Sequence, residues 1–279
     1  MDKNRLLTYI RPMKPFATSL HFQGQPSNRI KAVLFDIYGT LFISSSGDIA
    51  DFEKQTANHL KIKTLLQNFN IKTPVQELLD NLQIAIKQKH AELKTSGVDF
   101  PEVKIEQIWQ QLLNNKDKKN ILQFALEFEL LVNPIFSMPN LLKSINFLHE
   151  KKISLGIISN AQFYTPILME FFLKNDLVSM GFLDKLLFFS YKFGYAKPSD
   201  FLFKKAVEQL KILGIEAKSV LYLGNDMLKD IYPAKRAGFQ TALFAGDKRS
   251  LRLRKNDLRC KSIKPNLIIT DLIQLTQFF

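Results

Sequence analysis

Short apolar runs alternate with longer amphipathic ones along most of this chain. Ala32-Val33-Leu34-Phe35 is too short for a helix, and its branched and aromatic content suits a strand buried on both faces. The same texture returns at Ile153–Ile158, Leu186–Phe189, Val220–Leu223, Gln240–Phe244 and Asn266–Thr270. Between these runs the apolar spacing predicts helices over Leu141–Glu150, Pro166–Leu173, Asp200–Leu213 and Asp230–Ala237, the last closed by Gly238. Strands alternating with helices predict an α/β fold built on a doubly wound parallel sheet.

From about Ser44 to Pro134 the pattern changes. Helical periodicity covers Asp51–Phe69, Pro74–Lys94, Ile105–Leu113 and Lys119–Val132, with almost no strand character. This insertion follows the first strand, and ligands of open α/β sheets sit at the carboxyl ends of strands. A helical cap is therefore expected over the crevice as a mobile lid, with Trp109 anchoring its interior. The division that follows is an extension over residues 1–30, an α/β core over 31–46 and 134–279, and a cap over 47–133. The extension mixes Pro12, Pro15, Pro26 and Gly24 with scattered bases, and reads as draped on a domain or partly disordered.

Composition narrows the class. Of 279 residues, 46% are hydrophobic and 23% charged, the balance of a globular chain with core to bury. The single cysteine, Cys260, allows no disulfide or thiolate metal cluster within one chain and fits a reducing compartment. The apolar runs fall well short of the roughly 18–20 residues of a membrane span, and residues 1–30 contain no apolar leader core, so a cytoplasmic location is expected. His21, His59, His90 and His149 show no ligand spacing. The net charge is +13, but residues 1–31 and 235–264 account for all of it and the rest is neutral. Two local patches on a neutral body, with no nucleic-acid motif, make nucleic acid an unlikely partner. Lys248 and Arg249 follow a strand. They are expected either on a solvated loop or on a positive rim that attracts phosphorylated substrates.

Each apolar strand ends on a polar group suited to phosphate or metal chemistry. Asp36 leaves the first strand into Ile37-Tyr38-Gly39-Thr40, where Thr40 offers a hydroxyl. Ser159 and Asn160 end the second. Lys197-Pro198 lies in the loop after the third, and Asn225, Asp226 and Asp230 form an oxygen-rich cluster of the kind that holds Mg²⁺. Taken singly, each is more often a turn, a surface loop or a helix cap. Four of them, each at the end of a predicted parallel strand, point to one site.

In this order the segments resemble the four motifs of the haloacid dehalogenase-like (HAD) hydrolase superfamily, in the branch whose helical cap follows the first motif. The resemblance covers residues 31–270. It rests on Phe35-Asp36-Ile37-Tyr38-Gly39-Thr40-Leu41, Ile158-Ser159-Asn160, Lys197-Pro198, and Gly224-Asn225-Asp226 through Asp230. It implies Asp36 as nucleophile and metal ligand, with Thr40, Ser159 and Asn160 holding the transferred group and Lys197 neutralising charge. Mg²⁺ would be held by Asp36, the Tyr38 carbonyl, Asn225, Asp226 and Asp230. The expected activity is Mg²⁺-dependent hydrolysis of a small phosphorylated metabolite through an aspartyl-phosphate. Two positions depart from most phosphatases of the superfamily: Tyr38 replaces a second Asp, and Asn225 stands where many relatives carry an Asp ligand. Tyr38 is shared with the metal-independent 2-haloacid dehalogenases. Those use a cap arginine to grip the substrate carboxylate, whereas residues 44–134 hold eleven Lys, twelve acids and no Arg. Phosphate ester hydrolysis is therefore the preferred expectation. A dehalogenase-type hydrolase is the alternative, and a catalytically inactive binding protein the third.

Overall fold

The computed structural model describes residues 3–44 and 59–279. In chain order its elements are α1 (Lys3–Tyr9), β1 (Gln23–Gly24), β2 (Ala32–Phe35), β3 (Phe42–Ser44), α2 (His59–Asn68), α3 (Val75–Thr95), α4 (Ile105–Leu112), α5 (Lys118–Val132) and β4 (Ile135–Ser137). There follow α6 (Leu141–Glu150), β5 (Ser154–Ser159), α7 (Thr165–Leu173), β6 (Phe182–Phe189), α8 (Ser190–Phe193), α9 (Phe201–Ile212), β7 (Val220–Gly224), α10 (Tyr232–Arg236), β8 (Gln240–Phe244), α11 (Leu258–Lys261) and β9 (Leu267–Ile269). The helix expected over Asp230–Ala237 is present as α10, and its first residues belong to a wide π turn over Met227–Ile231 that leads into it.

Seven strands form the main sheet in the order β1-β9-β8-β7-β2-β5-β6, and every pairing is parallel except that of β1 with β9. Alternation along β2 explains its central place. Ala32 and Leu34 belong to the apolar cluster on one face, with Leu202, Phe203 and Ala206 of α9, while Val33 and Phe35 belong to the cluster on the other. The first strand of the core thus lies between β5 and β7. The sequence order reverses there, so three strand ends open into one crevice.

Helices α2 to α5 form the cap. Trp109 is buried edge-on against Phe124 and Phe128 at centroid distances of 5.0 and 4.8 Å. The apolar cluster containing these residues is continuous with the Val33 and Phe35 face of the sheet, so cap and core share one interior. At the neck, β3 and β4 pair antiparallel, and Ser44 Oγ donates to Asn133 Oδ1 at 2.8 Å. This two-strand link is absent from the sequence expectation. The expected helical residues 51–58 and the 46/47 boundary lie outside the described residues.

Residues 3–30 run over both layers. α1 lies on the cap: Arg5 meets the fully buried Glu127 of α5 through Nε and Nη2, each at 2.8 Å, and Tyr9 donates to the same carboxylate at 2.6 Å. Further on, the Phe16 N–H donates to Asp247 at 3.1 Å and Thr18 Oγ1 to the Ala245 carbonyl at 2.8 Å, while β1 extends the sheet edge. Arg249 stacks over Phe16 at 4.3 Å and bonds Asp247 and the Lys14 carbonyl. Neither the solvated loop nor the positive rim expected of this stretch describes Arg249, which fastens the extension to the core.

Arg5→Ala leaves Glu127 buried with only a phenol and an amide as partners. Because the Arg5 side chain is 43% exposed, the expected loss is about 1–3 kcal/mol, below that of a fully buried pair. Urea unfolding measures it. Arg5→Lys, which keeps the charge but not the planar fork, should recover part of the loss.

Candidate active site

The ends of β2, β5 and β7 converge as the sheet topology requires, and the loop after α8 brings Lys197 to them. Asp36 directly follows β2 and is 7% exposed. Its Oδ1 accepts from Lys197 Nζ at 2.7 Å. Its Oδ2 has no hydrogen-bond partner among the described residues. Lys197 is 3% exposed, and its ammonium also donates to Asp230 Oδ1 and to the Tyr222 hydroxyl, the latter at 3.1 Å. Burial alone would lower the Lys197 pKa, but the charges of Asp230 and Asp36 outweigh it and hold the ammonium above its ordinary value. Burial raises the Asp230 carboxyl against the pull of Lys197, and the nearby Asp36 and Asp226 charges add to the rise.

Two glycines make this packing possible. A Cβ on Gly224 would lie 2.4 Å from Asp230 Cγ, so only glycine admits that carboxyl beside the strand. Gly39 turns with φ +84°, and a Cβ there would meet Ser250 Cβ at 2.5 Å.

The remaining expected residues take several roles. Ser159 ends β5, fully buried, and makes only a 3.4 Å contact to the Asn160 carbonyl, which leaves its hydroxyl least committed. Asn160 clamps the lysine loop: Nδ2 donates to the Lys197 carbonyl at 3.1 Å and Oδ1 accepts from the Lys197 N–H at 2.7 Å. Thr40 Oγ1 donates to Asn225 Oδ1 at 3.2 Å, and Asn225 Nδ2 to the Ser250 carbonyl at 2.6 Å. Tyr38 packs edge-on against Phe42, and its hydroxyl pairs with Thr165 Oγ1 at 2.9 Å. Burial, with the Glu129 charge next, pushes its phenol well above the ordinary tyrosine range, so it stays neutral.

The Asp226 carboxylate is taken up by protein partners. Arg254 grips its carboxylate with Nη2 at 2.6 Å and Nε at 3.1 and 3.2 Å, and Oδ1 accepts the N–H groups of Leu228 and Lys229 as a cap. Burial would raise its pKa, yet the Arg254 hydrogen bonds and charge bring it below the usual carboxylate value. Asp230 is equally occupied, by Lys197, by the Tyr222 hydroxyl and by the Asp226 N–H. Magnesium demands several oxygens in near-octahedral geometry. Among the described residues no cluster of three or more His, Cys, Asp or Glu can hold a metal ion. With Asn225, Asp226 and Asp230 all turned to protein partners, the side chains do not fit the expected Mg²⁺ site.

Tyr222 and Arg254 escaped the sequence reading. A tyrosine inside an otherwise aliphatic strand does hint that its hydroxyl needs a buried partner. Tyr222→Phe removes a donor to the Ile158 carbonyl at 2.8 Å and a support of Lys197. The expected cost is about 0.5–1.5 kcal/mol in unfolding free energy, read by denaturant titration. Gly224→Ala should disturb Asp230 more severely, seen as loss of the Asp36–Lys197 contact in a crystal structure of the variant.

A profile of the haloacid dehalogenase-like hydrolase family matches residues 30–238. No curated protein matches the chain. Among solved structures, a 2-haloacid dehalogenase from Pseudomonas syringae pv. Tomato DC3000 is similar at 18% identity and TM-score 0.53, over 89% of this chain and 97% of its own. A HAD phosphatase from Thermococcus onnurineus is similar at 16% identity and TM-score 0.51, also over 89% and 97%. Among the described residues no helix is long and apolar enough to cross a membrane. With its α/β core, capped crevice and family match over most of its length, this chain belongs to the haloacid dehalogenase-like hydrolase family.

Proposed function

We propose that this chain hydrolyses a small substrate through a covalent Asp36 intermediate, without a divalent ion, and expels the leaving group as an unprotonated anion. One observation carries the reading: Lys197 fixes Asp36 Oδ1 and leaves Oδ2 for attack, while the expected metal donors serve other partners. Asp36 Oδ2 forms the new bond as the leaving group departs with the old bonding pair. Water then cleaves the resulting ester and restores the carboxylate. Lys197 remains protonated and orients Asp36 throughout. The Tyr38 hydroxyl is engaged by Thr165 and its phenol is not acidic, so it supplies no proton to the leaving atom.

Displacement of halide from a small halogenated acid asks least of such a site. Halide leaves as a stable anion, and the attacked carbon carries no negative charge to repel Asp36. With no arginine in residues 44–134, lysines are the cations that segment offers a substrate carboxylate. Mg²⁺-assisted hydrolysis of a phosphorylated metabolite is the second reading. The observation favouring it is Asp230, a second carboxylate on the same ammonium as Asp36.

Purified protein offered 2-chloropropionate, p-nitrophenyl phosphate and glucose 6-phosphate, each with EDTA and with Mg²⁺, separates the two. Chloride release that persists in EDTA is the expected result. Phosphate release from both esters only with Mg²⁺, with no chloride, overturns it in favour of the second reading. Asp36→Asn should abolish turnover on any active substrate with the circular dichroism spectrum unchanged. Tyr38→Asp restores the second carboxyl that most phosphatases of the superfamily carry at this position. On a phosphate ester with a poor leaving group it should raise the rate by up to about 10²–10⁴, with no gain for halide.

A further inference from the structure

The cap touches the core at a place that roofing the crevice does not require. Between α3 and α4, residues 99–104 leave the helical layer and run beside the loop that leads to Lys197. Pro101 and Tyr195 form an antiparallel bridge, the Glu102 N–H donates to the Gly194 carbonyl at 3.0 Å, and the Ala196 N–H donates to the Phe100 carbonyl at 2.7 Å. The Glu102 side chain then reaches past this ribbon. Its Oε2 accepts from Ser190 Oγ at 2.7 Å, and its Oε1 accepts from Gln162 Nε2 at 3.0 Å.

Both partners sit on loops that carry the reacting groups. Ser190 opens the segment that ends at Lys197, and its Oγ accepts from the Ala161 N–H at 2.9 Å. Ala161 and Gln162 directly follow Asn160. Gln162 is 2% exposed and commits its side chain to the cap: Nε2 also donates to the Val103 carbonyl at 3.0 Å, and Oε1 accepts the Ile105 N–H at 3.1 Å. The two loops are thus joined twice. Asn160 clamps the Lys197 backbone beside the nucleophile, and the Glu102–Ser190–Ala161 chain closes the same pair of loops from the cap side.

We infer that Glu102 is a positioning residue, a cap carboxylate that sets the Ser159–Asn160 loop against the Lys197 loop and so makes the aim of Lys197 on Asp36 depend on the docked cap. A charged acceptor suits the task. Charge-assisted hydrogen bonds are shorter and about twice as strong as neutral ones, and a carboxylate can take Ser190 and Gln162 on separate oxygens. Its reach matters because displacing a reacting group by about 1 Å can cost about 10²-fold in rate. The catalytic half of this inference rests on the function proposed above; the structural half does not.

The test compares wild type with Glu102→Ala and Glu102→Gln in two measurements. Residue-resolved amide exchange follows the Ala161 and Lys197 N–H groups, with Phe35 and Leu223 in the central strands as references. Steady-state kinetics uses whichever of 2-chloropropionate and p-nitrophenyl phosphate the wild type turns over. In Glu102→Ala, exchange at Ala161 and Lys197 should accelerate at least about tenfold with the references unchanged. Its kcat should fall about 10- to 100-fold with KM changed less than about threefold, and Glu102→Gln, which keeps an acceptor for Gln162, should recover part of both. Unchanged exchange in Glu102→Ala overturns the inference. So does equal acceleration at the references, which marks general destabilisation, and so does a loss seen in KM alone. Inactivity of the wild type on both probes counts against the proposed function, and the exchange result then decides this inference by itself.

Discussion

Lys197 brings a positive charge into a pocket where water scarcely reaches it, and two carboxylates with a phenol receive it there. Without that ammonium, Asp36 and Asp230 would be like charges brought together in a poorly solvated interior, an arrangement that drives one of them to protonate. Much of the local structure can be understood as serving this contact. Gly224 clears room for Asp230, Tyr222 buttresses the ammonium from the sheet, and Asn160 holds the lysine backbone at both its N–H and its carbonyl. The sheet order does the rest, since only neighbouring parallel strands deliver Asp36, Ser159 and Asn225 to the same end.

Strand ends were readable from residues alone because burial on both faces writes a continuous apolar run, and the polar residue that stops the run marks the crevice. That is why Asp36 and Lys197, remote in sequence, could be expected in one place. What a side chain does there was less readable. Asp226 has the chemistry of a metal ligand, but its direction is fixed by Arg254, a partner from a loop with no periodic pattern. Asn160 has the chemistry of an anion ligand and instead holds backbone. The strands of the neck were hidden for a different reason: Phe42–Ser44 and Ile135–Ser137 are three residues each, and they become strands only through one another.

The basic character of the chain also changes meaning in three dimensions. Arg5, Arg249 and Arg254 are each held by a buried acid, Glu127, Asp247 and Asp226 in turn. Part of the cationic excess therefore acts as internal fastening between chain segments, and a surface potential inferred from the sum of charges overstates what a passing polyanion meets.

The edge pairing of Gln23–Gly24 with Leu267–Ile268 has a consequence for how the molecule is made. During synthesis the edge strand emerges long before its partner, and the cap carboxylate that receives Arg5 also emerges well after Arg5 itself. Sheet closure at that edge must wait until Leu267 and Ile268 have been made. Contacts so distant along the chain carry a large loop-closure cost before they return any stability, which slows folding. Until then the edge of β8, which β9 covers in the finished sheet, stands open. A nascent chain at that stage already holds β1 and the strand that leads to Asp36 but lacks the β9 that joins β1 to the sheet, and this is the interval in which association with another unfinished chain competes with completion.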